Sequence, residues 1–334
     1  MFGVILLKIL KNHHKIGTAA GMFAGSATLV MLIFLSQDAL QGARDGLELC
    51  ARSIIPSLLP FFIISSLLGE LGLPRYLGKL AAPVMSRLFG VGGAGAAAFI
   101  VGLSGGYPLG TAAVADIYKR CECEKKEAER LLAFCINSGP AFVIGAAGSG
   151  IFGSVKIGLM LYAAHIAAAL TVGIGAGIKM PRIKARRNSI DFKTLRFPEA
   201  LSVSVKSSVT SLLAVCGFIT FFSALISVLD GTGLFTFLAG RISEASGMSY
   251  GAARALLAGF LELGSGIGEF ASLGTYPATI ALGAFILSWG GISVHCQTLA
   301  VTSGSELSLR PHTLGRLFCG VISAVFAYGL SHFC

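Results

Sequence analysis

Residues 99–120 read FIVGLSGGYPLGTAAVADIYKR, an apolar run with Ser104, Gly105, Gly106, Tyr107 and Pro108 at its centre. Glycine and proline interrupt a helix, and the backbone groups freed at the break cannot be left facing hydrocarbon. The stretch therefore reads as two short helical arms meeting at a tip. Its far end runs into Lys119 and Arg120 and then the basic stretch up to Arg130, as a segment returning to the cytoplasmic side would.

The rest of the chain supports a bilayer setting. Of its 334 residues 54% are hydrophobic and only 13% charged, against about 25% charged in soluble domains. Apolar segments at 16–35, 53–73, 131–150, 155–178, 207–229, 279–301 and 313–331 are each near the length needed to span hydrocarbon, which predicts seven crossings. The net charge of +10 is spread between these segments rather than over one soluble face, so it signals topology and excludes a nucleic-acid partner. The eight cysteines lack the paired spacing of a zinc site or a secreted disulfide framework and read as buried thiols. KILKNHHK at 8–15 precedes a run too long for a signal peptide, which predicts a retained first span with a cytoplasmic N-terminus.

Two further segments, about 92–115 and about 250–277, are apolar at both ends and broken in the middle by GLSGGYP and ELGSGIGEF. Charge decides how they are threaded. If both are re-entrant hairpins, twenty-one Lys and Arg residues, among them Arg75, Arg130 and Arg316, fall inside, against Arg44, Arg52, Lys156, Arg241 and Arg254 outside. Making the first a full crossing would place the most basic linker, KMPRIKARRNSIDFKTLR at 179–196, outside. The two broken segments also recur in order. Each follows a similar apolar span (SLLPFFIISS at 57–66, SLLAVCGFIT at 211–220) and precedes a span with a polar break (FCINSGPAF at 134–142, GGISVHCQTLA at 290–300). The repeat is about 155 to 160 residues long and has three crossings, so the second copy is inverted. The expected organisation is an N-terminal span and loop (1–44), a first repeat (45–178), a basic cytoplasmic linker (179–204) and an inverted second repeat (205–334). The expected fold is an all-α polytopic membrane protein with two inverted repeats, re-entrant hairpins and broken transmembrane helices.

Broken helices in matching positions point to a secondary transporter with its site near the bilayer midplane. In the first half the candidate substrate-binding residues are Ser104, Gly105, Gly106 and Tyr107 at the tip and Asn137, Ser138 and Gly139 in the break. The helix starting after Pro108 offers its N-terminus to an anion; the competing reading is that the small residues serve only close helix packing. In the second half the candidates are Ser265 and Gly266 at the tip and Ser293, His295 and Gln297 in the break. Glu262 and Glu269 are carboxylates inside an apolar hairpin, expensive unless protonated, paired or bound to a cation, and are the candidates for coupling to a proton or sodium ion. Pairing with His295 or Arg254 for structure alone is their alternative. His165 reads as an interior histidine with its hydrogen bonds satisfied. GVGGAG at 90–95 fits a dinucleotide pattern without a sheet around it and reads as helix packing. No metal site, no other cofactor and no nucleophile, base and orienter set for hydrolysis is expected.

GLSGGYPLGT followed by EAERLLAFCINSGPAFVIGAAGSGIFG resembles the YlbJ (SpoVV) family of sporulation integral membrane proteins, within the Gate-domain or nucleoside-recognition group; GFLELGSG and GGISVHCQ extend the likeness into the second half. The resemblance implies an architecture like that of concentrative nucleoside transporters. It also implies a role in endospore formation, moving dipicolinic acid from the mother cell across the outer forespore membrane. A planar dianion of that kind suits helix N-termini and donors such as Ser104, Asn137, Ser138 and Gln297. A nucleoside or nucleobase transporter on the same fold, and a non-transporting membrane scaffold of the spore envelope, are the alternatives, and a homodimer stays open.

Overall fold

The computed structural model describes residues 19, 21–178 and 195–332. The basic stretch 8–15, the start of the first span and most of the linker 179–196 lie outside the described residues. Among the described residues every regular element is helical.

A helix α1 (Gly21–Phe34) leads into α2 (Ser36–Leu49), a π-helical turn π1 (Cys50–Ile54) and α3 (Ile55–Glu70). These last three run on as one 35-residue helix. The loop expected after the first span is thus helical: α2 is amphipathic rather than uniformly apolar, so a search for continuous apolar runs passes over it. It buries Gly42 and Gly46 against α9 (Phe197–Gly231). A Cβ on Gly42 would lie 2.5 Å from the Ser223 carbonyl oxygen, and one on Gly46 would lie 2.9 Å from the Thr220 Cα. Two glycines four residues apart let the backbones approach this closely, as in membrane helix pairs generally.

Next comes α4 (Leu73–Leu88), bent by 104° from α5 (Gly93–Gly105). It is amphipathic, with Tyr76, Leu80 and Val84 on its exposed side beside Lys79 and Arg87, the pattern of a helix lying along the membrane surface. α5 and α6 (Tyr107–Lys119) form the first hairpin, turning at Gly106. Glycine is required there: φ is +82° and ψ is −179°, a backbone region that side chains exclude. The glycine-rich start of α5 is held to α7 (Lys125–Phe134): Glu127 accepts the Gly92 N–H at 2.6 Å and Arg130 donates to the Gly90 carbonyl at 2.7 Å. α7, the break at 135–139 and the π-helical π2 (Ala141–Ile151) make a broken span, closed by α8 (Val155–Gly177).

The second unit repeats this order. α9 is again 35 residues long, α10 (Leu234–Ser246) takes the place of α4, and α11 (Tyr250–Leu261) and α12 (Leu263–Ser272) form the second hairpin. α13 (Pro277–Trp289) and α14 (Gly291–Thr302) meet at Gly290 as the second broken helix, and α15 (Arg310–Ser331) closes the unit. Five helices are long and apolar enough to cross a membrane, among the described residues. Of the seven expected crossings, that over 131–150 is divided at its break and that over 16–35 is represented by the shorter α1. Each unit contributes a long helix, a broken helix and a closing helix, an odd number of passages, so the two are inverted.

The two hairpins are built alike. A Cβ on Gly102 would reach 1.9 Å from the Cys135 carbonyl oxygen and 3.5 Å from the Gly110 Cα; one on Gly266 would lie 2.1 Å from the Gly259 Cα. The arms touch backbone to backbone through paired glycines on either side of each tip.

Candidate functional site

The site is formed where the two tips meet the two breaks. Gly139, in the first break, lies against the first tip, where a Cβ on it would come within 2.9 Å of the Gly106 nitrogen. Gly291, just past the second break with φ +74°, lies against the second tip, 3.0 Å from the Leu261 carbonyl oxygen and 3.1 Å from the Leu263 nitrogen by the same measure. The breaks are tied to each other across the repeats: the Ser138 hydroxyl donates to the Leu287 carbonyl at 2.9 Å. Tyr107 of the first tip and Cys50 of π1 both lie near enough to Glu262 of the second tip to feel its charge.

Inside a membrane every backbone group freed at a helix break needs a partner. Here several of the partners are side chains. Tyr162 donates to the Leu103 carbonyl at the end of α5, Asn137 to the Phe134 carbonyl at the end of α7, and Trp289 to the Phe260 carbonyl at the end of α11. The Ser138 N–H donates to His165 Nε2 at 3.1 Å, so that nitrogen carries a lone pair and Nδ1 carries the proton, donated to the Ser288 hydroxyl at 2.6 Å. His165 is thus an interior histidine with both nitrogens engaged, bridging the first break to the end of α13.

Glu262 is the N-cap of α12. It is 2% exposed, and its two carboxylate oxygens accept the Gly264 N–H at 2.9 Å and the Ser265 N–H at 2.6 Å. Capping is ordinarily the work of Ser, Thr, Asp or Asn; a glutamate doing it in a buried hairpin places a titratable group on the freed backbone of the second tip. Ser265 also meets the Ser223 hydroxyl of α9 at 3.2 Å, and Gly266 packs on Gly259. Glu269 lies elsewhere, in an ion pair with Arg254, which also pairs with Asp230 at 2.8 Å. These three groups are each about a third exposed or less, and they join α9, α11 and α12 away from the tip.

Of the other candidates, Ser293 and Gln297 are buried on α14, and His295 Nδ1 donates to the Gly291 carbonyl at 2.8 Å. Ser104 turns its hydroxyl back to the Ile100 and Val101 carbonyls. The space between the first tip, Leu58, Phe62 and Gly139 amounts to only about 10 Å³, room for one water, so in this conformation the tip is closed on its break.

Residues 51–175 match the Gate family, described as nucleoside recognition. Over 314 residues the chain is 30% identical to the sporulation integral membrane protein YlbJ of Bacillus subtilis (strain 168), covering 87% of this chain and 77% of that protein. The chain belongs to the YlbJ family. Solved structures of the concentrative nucleoside transporter CNTnw share its fold. A substituted form in its intermediate 3 state superposes with a TM-score of 0.58 at 16% identity, over 86% of this chain and 76% of that one. A doubly substituted form in an outward-facing state gives 0.52 at 16% identity, over 85% and 76%. This YlbJ-family chain is therefore an integral membrane protein of the Gate and nucleoside-transporter fold.

The geometry of this YlbJ-family chain also brings to the breaks residues that the sequence pattern passed over. Arg316, counted above among cytoplasmic charges, is 2% exposed, seven residues into α15, with one guanidinium nitrogen 3.4 Å from Asn137 Oδ1 and 3.1 Å from Cys319 Sγ. One turn earlier His312 is fully buried, donating from Nδ1 to the Leu132 carbonyl at the end of α7. Its ring lies 4.8 Å from that of His295, which lies 4.3 Å from Trp289. The signal was present as an i, i+4 pair of polar residues opening an otherwise apolar helix, which also reads as an ordinary basic flank.

Proposed function

We propose that the chain is a secondary transporter of a small carboxylate, dipicolinic acid during endospore formation, working by alternating access in the outer forespore membrane with its N-terminus in the cytoplasm. The observation that carries this reading is the junction of two hairpin tips with two broken helices at the centre of an inverted repeat, the arrangement that exposes backbone donors to a solute. Ser104, Gly105, Gly106, Tyr107 and Asn137–Gly139 form one wall of the site in this reading; Ser265, Gly266, Ser293, His295 and Gln297 form the other. The sporulation name of the Bacillus subtilis relative is in keeping with the setting in this reading.

Glu262 supplies the coupling. Both its oxygens hold backbone N–H groups, so a proton arriving there competes with the cap, loosens the first turn of α12 and frees the second tip to move. A sodium ion would compete for the same oxygens. Glu269, neutralised by Arg254, braces the hairpin.

Flux of labelled dipicolinate and uridine into proteoliposomes tests the reading, with Asn137→Ala and Glu262→Gln variants in parallel. Saturable dipicolinate flux that falls at least about tenfold in both variants is expected, with no uridine flux. Movement of uridine alone would reassign the substrate to the nucleoside class. Movement of neither solute would leave the fold in a non-transporting, scaffold role.

A further inference from the structure

Arg316 is a buried cation without an acid. Among the described residues no carboxylate lies within ion-pairing distance of it, although Arg254, in the same membrane domain, is matched by both Asp230 and Glu269. Its Nε has no hydrogen-bond partner, and its other polar contacts are one long bond to an amide oxygen and one to a thiol. A charge withdrawn from water costs several kcal/mol unless it is paired, and intramembrane arginines are kept where they meet a pathway or a counter-ion.

Two more unpartnered nitrogens accompany it. His312 Nε2 and His295 Nε2 are buried without partners. Both rings are fixed by Nδ1–H bonds to carbonyl oxygens, Leu132 and Gly291, so each directs its Nε2 away from those anchors. The group spans both repeats: Arg316 touches Asn137 of the first break, and His295 sits one turn past the second. Backbone anchors, a permanent positive charge and unfilled nitrogens come together on two helices, with no carboxylate paired to them among the described residues.

We propose that Arg316, with His312 and His295, forms an anion site that binds a carboxylate group, a proposal that rests on the carboxylate-transport reading above and assigns its charge recognition. Arg316 Nε–H and its neighbouring guanidinium N–H groups grip one carboxylate. The free Nε2 atoms accept from a protonated carboxyl or, once protonated, donate to a carboxylate, so an aromatic dicarboxylate finds a partner at each end. Asn137, held by Arg316, connects the anion to the first break.

Trp289 is the only tryptophan in the chain, and its contact with His295 makes its fluorescence a binding signal that needs no transport. The experiment titrates the purified full-length protein with pyridine-2,6-dicarboxylate, with benzoate as a monocarboxylate and uridine as a neutral control. Arg316→Gln, Arg316→Lys and His312→Gln variants are compared by gel filtration and thermal unfolding, and dipicolinate flux is measured in proteoliposomes from the same preparations. Arg316→Gln is expected to weaken dicarboxylate binding by at least about tenfold, the loss of one charge-assisted bond. Its unliganded unfolding midpoint is expected to hold, because removing an uncompensated charge leaves no acid unpaired. Arg316→Lys, which keeps the charge without the planar fork, is expected to fall between; it carries the test alone if the glutamine variant does not fold. Unchanged affinity in the folded variants would overturn the site while leaving carboxylate transport standing. Arg316-dependent binding without flux would uphold the site and overturn transport. A wild-type protein that binds neither carboxylate would overturn the site itself.

Discussion

His165 offers a direct measure of what holds the first break open. Its Nε2 is the acceptor for the Ser138 N–H, and its Nδ1–H reaches Ser288, so one side chain satisfies a freed amide of the first broken helix and a hydroxyl at the end of the second. Replacing it with leucine, similar in volume, leaves the Ser138 amide buried without an acceptor, at about 1–3 kcal/mol, and removes the Ser288 bond, worth about 1 kcal/mol. Ser288 can turn to a carbonyl of its own helix, so His165→Leu should cost about 2–4 kcal/mol in all. Glutamine extends an amide oxygen to nearly the position of Nε2 and should recover most of the loss. Thermal unfolding in detergent, followed by Trp289 fluorescence, gives the order wild type, glutamine, leucine. A leucine variant as stable as wild type would refute the idea that the break needs this acceptor, and equal losses in both variants would show that packing, not hydrogen bonding, is at stake.

Other outcomes follow from the same geometry. Gly106→Ala forces a side chain into a backbone region that excludes one, at about 1–3 kcal/mol, and should abolish flux with a lowered unfolding midpoint; normal flux would show that the tip tolerates a different turn. Glu269→Gln should lower stability modestly, because the Arg254 pair is part-exposed and Asp230 remains, while leaving ion or proton coupling intact; Glu262→Gln should uncouple flux, and a reversal of these two phenotypes in a pH-gradient assay would exchange their roles. Alkylation of the loop between α6 and α7 should separate its two thiols. Cys121 is exposed, whereas Cys123 is buried, its thiol pushed up to about 12 by burial first and then by Glu127 and Glu122. Because the thiolate is the reacting form, Cys123 should stay unmodified at neutral pH and gain reactivity only as pH climbs toward that value. Labelling of Cys121 from the extracytoplasmic side would overturn the hairpin topology.

The sequence made the order of elements legible because each has a composition that physics ties to its shape. Apolar length marks the crossings, glycine and proline at 105–108 mark the first tip, and Glu262 within GFLELGSG marks the second. Two things were harder to read. α2 alternates polar and apolar residues and so looks like a loop beside uniformly apolar spans, although Gly42 and Gly46, four residues apart, are the signature of its contact with α9. The partners of the freed backbone groups, Tyr162, His165, His312 and Trp289, come from helices distant in sequence, and no local pattern ties Ser138 to His165 or Leu132 to His312. The burial of Arg316 was hidden for a related reason: a single charge seven residues into a helix reads the same whether that face turns to water or to another helix.

The two tips solve one problem in chemically different ways, and the difference bears on which of them moves. At the first, Gly106 makes the turn with backbone alone, and the tip rests on Gly139 with glycine against glycine; nothing in that contact changes charge. At the second, the turn is completed by a carboxylate whose oxygens are both occupied by amides. A backbone contact responds only to displacement, whereas a carboxylate cap responds to a proton or a cation, because either takes electron density that the amides were using. A mechanism coupled to an ion therefore needs the second hairpin as its responsive half and can use the first as a fixed wall. Exchanging the devices tests this: Glu262→Ser restores an ordinary cap without a titratable group, so α12 should stay folded while flux loses its dependence on the ion gradient. If the serine variant remained driven by the gradient, the coupling group would have to lie outside the second tip.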